Sequence, residues 1–255
     1  RRMTPEERRK LRRKRRRKRI ALLTVEVIIL LVLCATAYGI FKLDKLDINI
    51  LDKDKLEAYR DTGPYTNIAL FGLDSREGEL DGGVQSDCIM IASINNETND
   101  VKLVSIYRDT LLQQADGTYE KANSAYNRGG PEEAISLLNR NFDLDIQNYV
   151  SVNFNALVDV IDSLGGIELD MTQEEAFYSN GYAFETAQVV GQEMKPIKEE
   201  AGIQLLDGVH AVGYARIRYT DGNDFKRTER QRVVLQKVAE KAKKANLLTL
   251  NEIVD

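Results

Sequence analysis

Short apolar runs separated by polar turns dominate the chain from residue 64 onward. Because these runs are rich in β-branched residues and only five to seven residues long, they predict strands of a protein core. The predicted strands are residues 67–73, 88–94, 101–106 and 167–171. The polar stretch 97–100 predicts a hairpin turn between the second and third strands.

Apolar residues at helical spacing also predict helices. These helices cover residues 131–141, 155–164, 204–212 and 224–246, and residues 180–201 are predicted to be irregular. Pro131 stands at the favoured first position of its helix, and Gly165-Gly166 ends the next one. Strands mixed with helices in this order predict the α/β class, with a central mixed β-sheet flanked by helices on both faces.

An apolar run near the start of the sequence adds a membrane segment to this prediction. Residues 20–41 contain one charged side chain, Glu26, and at about 1.5 Å per residue they can cross the ~30 Å hydrocarbon core of a bilayer. We therefore expect a single transmembrane helix. A cleaved signal peptide is the alternative, because Ala35-Thr36-Ala37 has the form of a cleavage site. Either interpretation exports the rest of the chain.

Charge is segregated across this run. Residues 1–19 hold 13 Lys or Arg, whereas residues 42–255 hold 23 basic and 37 acidic side chains, so the basic end is expected in the cytoplasm. A basic tail beside a membrane span, with no aromatic residue in it, indicates topology and anionic lipid contact rather than nucleic-acid binding. We predict a cell-membrane protein with a cytoplasmic tail (1–19), a transmembrane helix (20–41), a charged stalk (42–63) and an extracytoplasmic domain (64–255).

Two acidic residues stand at the ends of predicted strands. Asp74 follows strand 67–73, and Asp87 precedes strand 88–94. If the two strands are neighbours, both carboxylates can converge on Mg²⁺, which proteins usually hold with one or two carboxylates plus waters and phosphate. Solvated loop acids are the alternative for such a pair. With only two cysteines in the chain, a disulfide framework and a zinc knuckle of the CxxC kind are excluded.

Three arginines belong to the same part of the predicted fold. Arg108 comes just after strand 101–106, and Arg216 and Arg218 share one face if their segment is extended. Guanidinium groups beside two acids are typical of a pyrophosphate-binding site.

The start of the last predicted helix adds two more polar side chains. Arg227 and Gln231 are four residues apart, so they share a face near the positive end of the helix dipole, which favours an anion. Arg230 and Arg232 fall on other faces of this helix. For these two we expect surface salt bridges.

Seven segments of the chain match one family in that family's order. They are NIALFGLDSR, QSDCIMIASIN, VKLVSIYRDT, KANSAYNRGG, IDSLGGIEL, YARIRY and NDFKRTERQ. Residues 66–244 thereby resemble the LytR-CpsA-Psr family of bacterial membrane-anchored enzymes. The resemblance implies transfer of a glycopolymer, of the teichoic acid or capsular polysaccharide type, from an undecaprenyl pyrophosphate carrier to a peptidoglycan hydroxyl.

The resemblance also implies roles for individual residues. It makes Asp74 and Asp87 the ligands of a Mg²⁺ cofactor and, with Arg108 and Arg227, the catalytic residues. The implied substrate-binding residues are Arg76, Arg108, Lys121, Arg216, Arg218, Asp224, Arg227 and Gln231. Asp224 resembles the family acid that orients the arginines, and Lys121 resembles a lysine beside the mouth of the lipid pocket.

Two positions depart from the family pattern. Gln85 stands where arginine is common, and Tyr107 stands where proline is common, directly before Arg108. Neither change removes a residue of the predicted pyrophosphate site. Because Tyr107 directly precedes Arg108, this departure bears on the backbone geometry at Arg108.

A polyprenyl tail would need an apolar slot between the sheet and the helices. Val158, Ile161, Leu235 and Val238 are candidates for its lining, with ordinary core packing as the alternative. His210, the only histidine, has no partner motif and is predicted to be structural.

Three functions are compatible with these observations. A polyprenyl-pyrophosphate phosphatase would use the same arginines with water as the nucleophile, and a non-catalytic membrane regulator would rest on the basic tail alone. The acids and arginines favour an enzyme, and the full set of motifs favours the transferase.

Overall fold

The structure is a computed structural model, and it describes residues 49–58, 62–74, 83–220, 223–246 and 249. Apart from Asn49, these residues belong to one unit, Ile50–Ile253. The predicted transmembrane helix (20–41) and basic tail (1–19) lie outside the described residues. Within the described ranges, no helix is both long enough and apolar enough to cross a bilayer.

The described residues form eight strands and five α-helices. The strands are β1 (Tyr65–Leu73), β2 (Ser86–Asn95), β3 (Val101–Ile106), β4 (Leu111–Gln113), β5 (Tyr119–Lys121), β6 (Asn148–Val152), β7 (Ile167–Met171) and β8 (Gly202–Leu206). The helices are α1 (Ser124–Phe142), α2 (Phe154–Ser163), α3 (Gln173–Val190), α4 (Gly208–Arg216) and α5 (Asn223–Ala242). The fold is therefore mixed α/β, as predicted.

Four of the strands make a central mixed sheet in the order β3-β2-β1-β6. The pairs β1–β2 and β2–β3 are antiparallel, whereas β6 runs parallel to β1. The predicted hairpin turn joins β2 to β3, where Asn95 donates its backbone N–H to the carbonyl of Asp100 at 2.8 Å. The other strands form two separate antiparallel pairs, β4–β5 and β7–β8.

One face of the central sheet packs against α1. Because side chains alternate along a strand, Ala69 and Phe71 of β1 point to this face together with Ile89 of β2. They bury their side chains against Tyr126 and Ile135 of α1. The helix is interrupted at Gly129-Gly130, and its second segment begins at Pro131, as the sequence predicted.

A second core joins α2, α3, α4 and α5 to the β7–β8 pair. Its buried residues include Ile161 of α2, Ala176 of α3 and Val234 of α5. Glycines Gly165 and Gly166 end α2 in left-handed conformations, with φ of 73° and 79°. A Cβ on Gly166 would lie 2.5 Å from the carbonyl oxygen of Leu206, so this turn requires glycine.

Two of the sequence predictions about elements are wrong. Residues 180–190, predicted to be irregular, belong to α3, and residues 204–206, predicted to begin a helix, belong to β8. Helix α3 lacks an apolar stripe of large residues, because its buried face consists of small ones that allow a close approach to α4. These are Ala176, Ser179, Ala183, Thr186 and Ala187. Its large apolar residues Phe177 and Phe184 are exposed.

Part of the predicted stalk packs against the domain. Leu56 is fully buried in the first core, and its carbonyl accepts a hydrogen bond from Asn139 of α1 at 2.7 Å. Glu57 forms an ion pair with Arg140 at 2.7 Å. The chain therefore joins the folded unit several residues before β1.

Candidate active site

The two predicted acids lie at the same end of two neighbouring strands. Strands β1 and β2 are antiparallel partners, and a bulge between Gly72 and Leu73 ends their pairing beside Ser86. Asp74 follows β1 and Asp87 lies in β2, and both side chains line one cavity. A Cβ on Gly72 would lie 2.8 Å from the Cβ of Cys88, so the bulge keeps the strands too close for any larger residue.

Asp87 forms ion pairs with two of the predicted arginines. Nη1 of Arg108 donates to Oδ1 of Asp87 at 2.6 Å, and Nη2 of Arg218 donates to Oδ2 at 3.3 Å. Burial alone would lower the pKa of Arg108, but the hydrogen bond and charge of Asp87, with the charges of Asp109 and Asp224, raise it above its usual value. Arg108 is therefore firmly cationic, and Tyr107 before it does not prevent it from reaching Asp87.

Arg227 is the most deeply buried charge of the site. It is 4% exposed, and its Nη2 atom lies 3.3 Å from Oδ1 of Asp224. Its Nε and Nη1 atoms are buried and have no hydrogen-bond partner among the described residues. Burial and the positive charge of Arg218 lower its pKa from the usual value. Buried donors without partners are rare in folded proteins, and they indicate a site built for an anionic ligand.

A largely apolar slot lies beside these charges. Its volume is about 370 Å³, and it runs between the sheet face opposite α1 and the helices of the second core. The sheet contributes Leu70, Cys88 and Val150, and the helices contribute Leu157, Val212 and Leu235. Asp74, Asp87, Arg216, Arg218, Arg227 and Gln231 line the same slot. A charged group and an apolar chain could thus bind side by side.

Only part of the predicted slot lining is found there. Leu235 lines the slot, whereas Val158 and Ile161 are fully buried in the core, and Val238 packs against the second core.

Desolvation raises the pKa of the Cys88 thiol in the slot to about 12.

The segment that carries Arg216 and Arg218 is not extended, so the condition under which they would share one strand face is not met. Arg216 is the last residue of α4, and the chain leaves the helix at Ile217. Both arginines nevertheless line the slot. The guanidinium of Arg216 lies 4.9 Å from the ring centre of Phe154 and donates to the hydroxyl of Thr186 at 2.9 Å.

Arg230 was predicted to be a surface residue, and this prediction is wrong. It is 4% exposed, and its Nε donates to Glu175 of α3 at 2.9 Å while its Nη2 donates to Thr220 at 2.6 Å. Its Nη1 donates to the carbonyl of Ile217 at 3.3 Å. Arg230 therefore fixes the segment that carries Arg218, a role that helix periodicity alone does not indicate.

The remaining predicted residues do not line the slot, or they lie outside the residues that the structure describes. Lys121 is mostly exposed and forms a 2.5 Å ion pair with Asp109, which also lies 3.4 Å from Nε of Arg108. Arg76 lies outside the described residues. Gln85 accepts a hydrogen bond from Asn123 at 3.3 Å and lines neither the slot nor the cavity beside it. His210 is buried and hydrogen-bonded to Asp207 at 2.6 Å, away from the slot.

The donor set can accept a metal ion only with help from a ligand. Among the described residues, no three His, Cys, Asp or Glu side chains converge closely enough to hold a metal. Asp74 and Asp87 supply hard carboxylate oxygens to one cavity, which suits Mg²⁺ when phosphate oxygens complete its shell. Both oxygens of Asp87 also accept from arginines, so the metal would share this carboxylate with them.

Comparison with known proteins gives a consistent result. The model of the LytR_cpsA_psr family matches residues 38–255. A polyisoprenyl-teichoic acid–peptidoglycan teichoic acid transferase, TagU of Halalkalibacterium halodurans, is 32% identical over 185 residues, which are 72% of this chain and 55% of the relative. The chain spans little more than half the length of the curated relatives it matches.

Solved structures have the same fold. A protein of Enterococcus faecalis described as a transcriptional regulator is 31% identical, with a TM-score of 0.56 over 74% of this chain and 63% of that one. The LytR-CPS2A-psr family protein YwtF (TagT), solved with bound octaprenyl pyrophosphate lipid, is 21% identical, with a TM-score of 0.57 over 78% and 77% of the two chains.

Proposed function

The chain belongs to the LytR-CpsA-Psr family, and on this basis we propose that it is a phosphotransferase of the bacterial cell envelope. It moves a glycopolymer, of the teichoic acid or capsular polysaccharide type, from an undecaprenyl pyrophosphate carrier to a peptidoglycan hydroxyl. The names of its curated relatives support the reaction, and the lipid in the TagT structure supports the carrier class.

One observation carries the proposal. Arg227 brings two buried donors without partners to the wall of an apolar slot, beside the Asp87 network. Such donors lower stability unless a ligand uses them, and an anionic headgroup joined to an apolar tail is the ligand that satisfies both parts of the cavity. A polyprenyl pyrophosphate has this chemistry.

The proposed reaction is an in-line displacement at phosphorus. The acceptor hydroxyl oxygen bonds to the phosphorus nearer the polymer, and the bridging P–O bond breaks with its electron pair left on polyprenyl monophosphate. The hydroxyl proton passes to a carboxylate or to water. Arg108, Arg218 and Arg227 stabilise the charge that develops on the phosphate oxygens.

We further propose that Asp74 and Asp87 hold Mg²⁺ together with phosphate oxygens. When bound, this ion would add positive charge at the pyrophosphate. Asp74, which is exposed at the slot, is the better placed of the two to bind the ion or to accept the proton, because arginines occupy both oxygens of Asp87.

The membrane anchor and the three-layer arrangement belong to the same proposal. Residues 20–41 would hold the domain at the outer face of the membrane, where the carrier lipid lies. The slot separates the sheet from helices on the face opposite α1, which supports a sheet with helices on both sides.

The requirement for an acceptor tests the proposal. The full chain in detergent is given a lipid-linked glycan with and without peptidoglycan oligomers, and polyprenyl monophosphate and glycan–peptidoglycan product are measured. We expect both products only when the acceptor is present. Monophosphate release at the same rate without acceptor would instead make the protein a phosphatase.

A further inference from the structure

A second cavity adjoins the slot, and the function proposed so far places no ligand in it. Its volume is about 310 Å³, and it shares Asp87, Arg227 and Gln231 with the slot. Tyr107, Arg108, Asp109, Asp224 and Phe225 also line it. The two cavities therefore meet at the residues proposed to bind the pyrophosphate.

Two aromatic side chains form a corner of this cavity. The rings of Tyr107 and Phe225 meet edge to face, with centres 4.7 Å apart and planes inclined by 71°. Tyr107 is 38% exposed and Phe225 is 68% exposed, so ring surface remains open to solvent. We call this pair the aromatic corner.

The polar part of the lining suits a ligand rich in hydroxyl groups. Asp87, Asp109 and Asp224 bring three carboxylates to the cavity. Arg108 pairs with Asp87 and Asp109, and Arg227 pairs with Asp224 through Nη2 alone. Hydroxyl groups can donate hydrogen bonds to these carboxylates and to the hydroxyl oxygens of Thr110 or Thr228. A sugar ring has such hydroxyls at its rim and an apolar C–H face that packs on aromatic rings.

The position of the cavity indicates that it binds a sugar of the acceptor rather than a sugar of the donor. In an in-line displacement the nucleophile enters on the side opposite the leaving group. The leaving polyprenyl phosphate belongs to the apolar slot, so the attacking hydroxyl has to come from across the wall of Asp87, Arg227 and Gln231.

We propose that this second cavity binds a sugar ring of the acceptor glycan, with the ring's C–H face on the aromatic corner and its attacking hydroxyl toward Arg227. The proposal rests on the transferase function above and gives the acceptor a location. It also gives a use to Tyr107, which replaces the proline common in the family and enlarges the aromatic surface.

The test titrates the sugar without the lipid. A peptide-free GlcNAc–MurNAc tetrasaccharide is added to the full chain in detergent, and binding is followed by saturation-transfer NMR. Tyr107→Ala and Phe225→Ala should each weaken binding about tenfold, whereas Tyr107→Phe should stay close to the parent. Phe184→Ala removes an exposed aromatic side chain from α3, away from both cavities, and should change nothing. Thermal melts verify that every variant is folded.

Kinetics distinguish the acceptor from the donor. In the transfer assay Tyr107→Ala should raise KM for the peptidoglycan oligomer about tenfold and leave KM for the lipid-linked glycan unchanged. A raised KM for the lipid-linked glycan instead would assign the cavity to the donor's sugar and overturn the proposal. It would equally be overturned if the parent bound no tetrasaccharide at millimolar concentration, or bound it only through the peptide of intact peptidoglycan.

Failure of the broader function would look different. Binding of octaprenyl pyrophosphate is measured separately, with no sugar present. A parent that binds the lipid but not the sugar contradicts the second cavity alone, whereas a parent that binds no lipid contradicts the transferase.

Discussion

At the scale of one residue, Arg227 carries a stability cost that the proposed ligand would offset. Two of its nitrogen atoms are buried without a hydrogen-bond partner among the described residues, which costs about 1–3 kcal/mol. The ion pair with half-exposed Asp224 returns at most about 1 kcal/mol. We therefore propose that this buried side chain serves ligand binding rather than folding.

Replacing this side chain with an apolar one of similar length should separate the two properties. We expect Arg227→Met to abolish transfer and to melt at or above the temperature of the parent, by about 2–4 °C per kcal/mol gained. Differential scanning calorimetry without lipid measures this. Arg232→Met, on the same helix but lining neither cavity, is the control. A clear drop in melting temperature for Arg227→Met would mean that the side chain serves the fold.

Cys88 provides a chemical probe of the slot. Desolvation raises its pKa from 9.0 to about 12, so at pH 8 its thiolate is rarer than that of an ordinary cysteine by several hundredfold or more. The folded state holds the proton of this thiol more firmly than the unfolded chain does. The resulting contribution to folding stability is complete below pH 9 and is lost as the pH rises toward 12.

Alkylation kinetics should show this shift. In a Cys34→Ser background, iodoacetamide should modify Cys88 slowly at pH 8, and the rate should rise about tenfold per pH unit through pH 10. Peptide mass spectrometry gives the rates, with an unstructured cysteine peptide as the reference. A rate that levels off near pH 9 would show that the thiol is not desolvated.

At the scale of elements, Arg230 connects α5 to α3 and to the segment that carries Arg218. Its hydrogen bonds reach Glu175, Thr220 and the carbonyl of Ile217; the last two are buried and the first is partly buried. Removing one partner of a buried ion pair leaves the other charge uncompensated, which costs about 3 kcal/mol or more.

Arg230 and Arg227 therefore make a matched pair. They are three residues apart on one helix and equally buried, yet Arg230→Met should lower the melting temperature by about 6–12 °C while Arg227→Met should not lower it. The same calorimetry compares them. Equal destabilisation by the two substitutions would remove the distinction between a structural and a ligand-binding arginine.

The elements also show where sequence patterns suffice. Strands β1, β2 and β7 and helices α2 and α5 follow from the apolar pattern, because each buries large apolar residues. Strand β3 follows from its run of branched residues, although none of its side chains is fully buried. Helix α3 does not, because close packing on α4 uses alanine and serine, which carry little hydrophobic signal. The burial of Arg230 and the aromatic corner depend on tertiary contacts, which no local pattern encodes.

At the scale of the whole molecule, the chain combines two environments. Its first 19 residues carry 13 basic side chains, and the residues after the apolar run carry a net charge of −14, from 23 basic and 37 acidic residues. We propose that this segregation places the domain outside the cell, with its slot available to a lipid carrier in the outer leaflet. In this proposal the arginines around Asp87 bind the charged headgroup of the carrier, and the slot binds its apolar tail.

Direct binding of the carrier tests this central claim. The full chain, released from detergent in native mass spectrometry after titration with octaprenyl pyrophosphate, should carry one lipid per protein. Arg227→Met should weaken this binding at least tenfold, because it removes the buried donors, and Arg232→Met should bind like the parent. A parent that binds no octaprenyl pyrophosphate, or an Arg227→Met variant that binds it as tightly as the parent, would contradict the account.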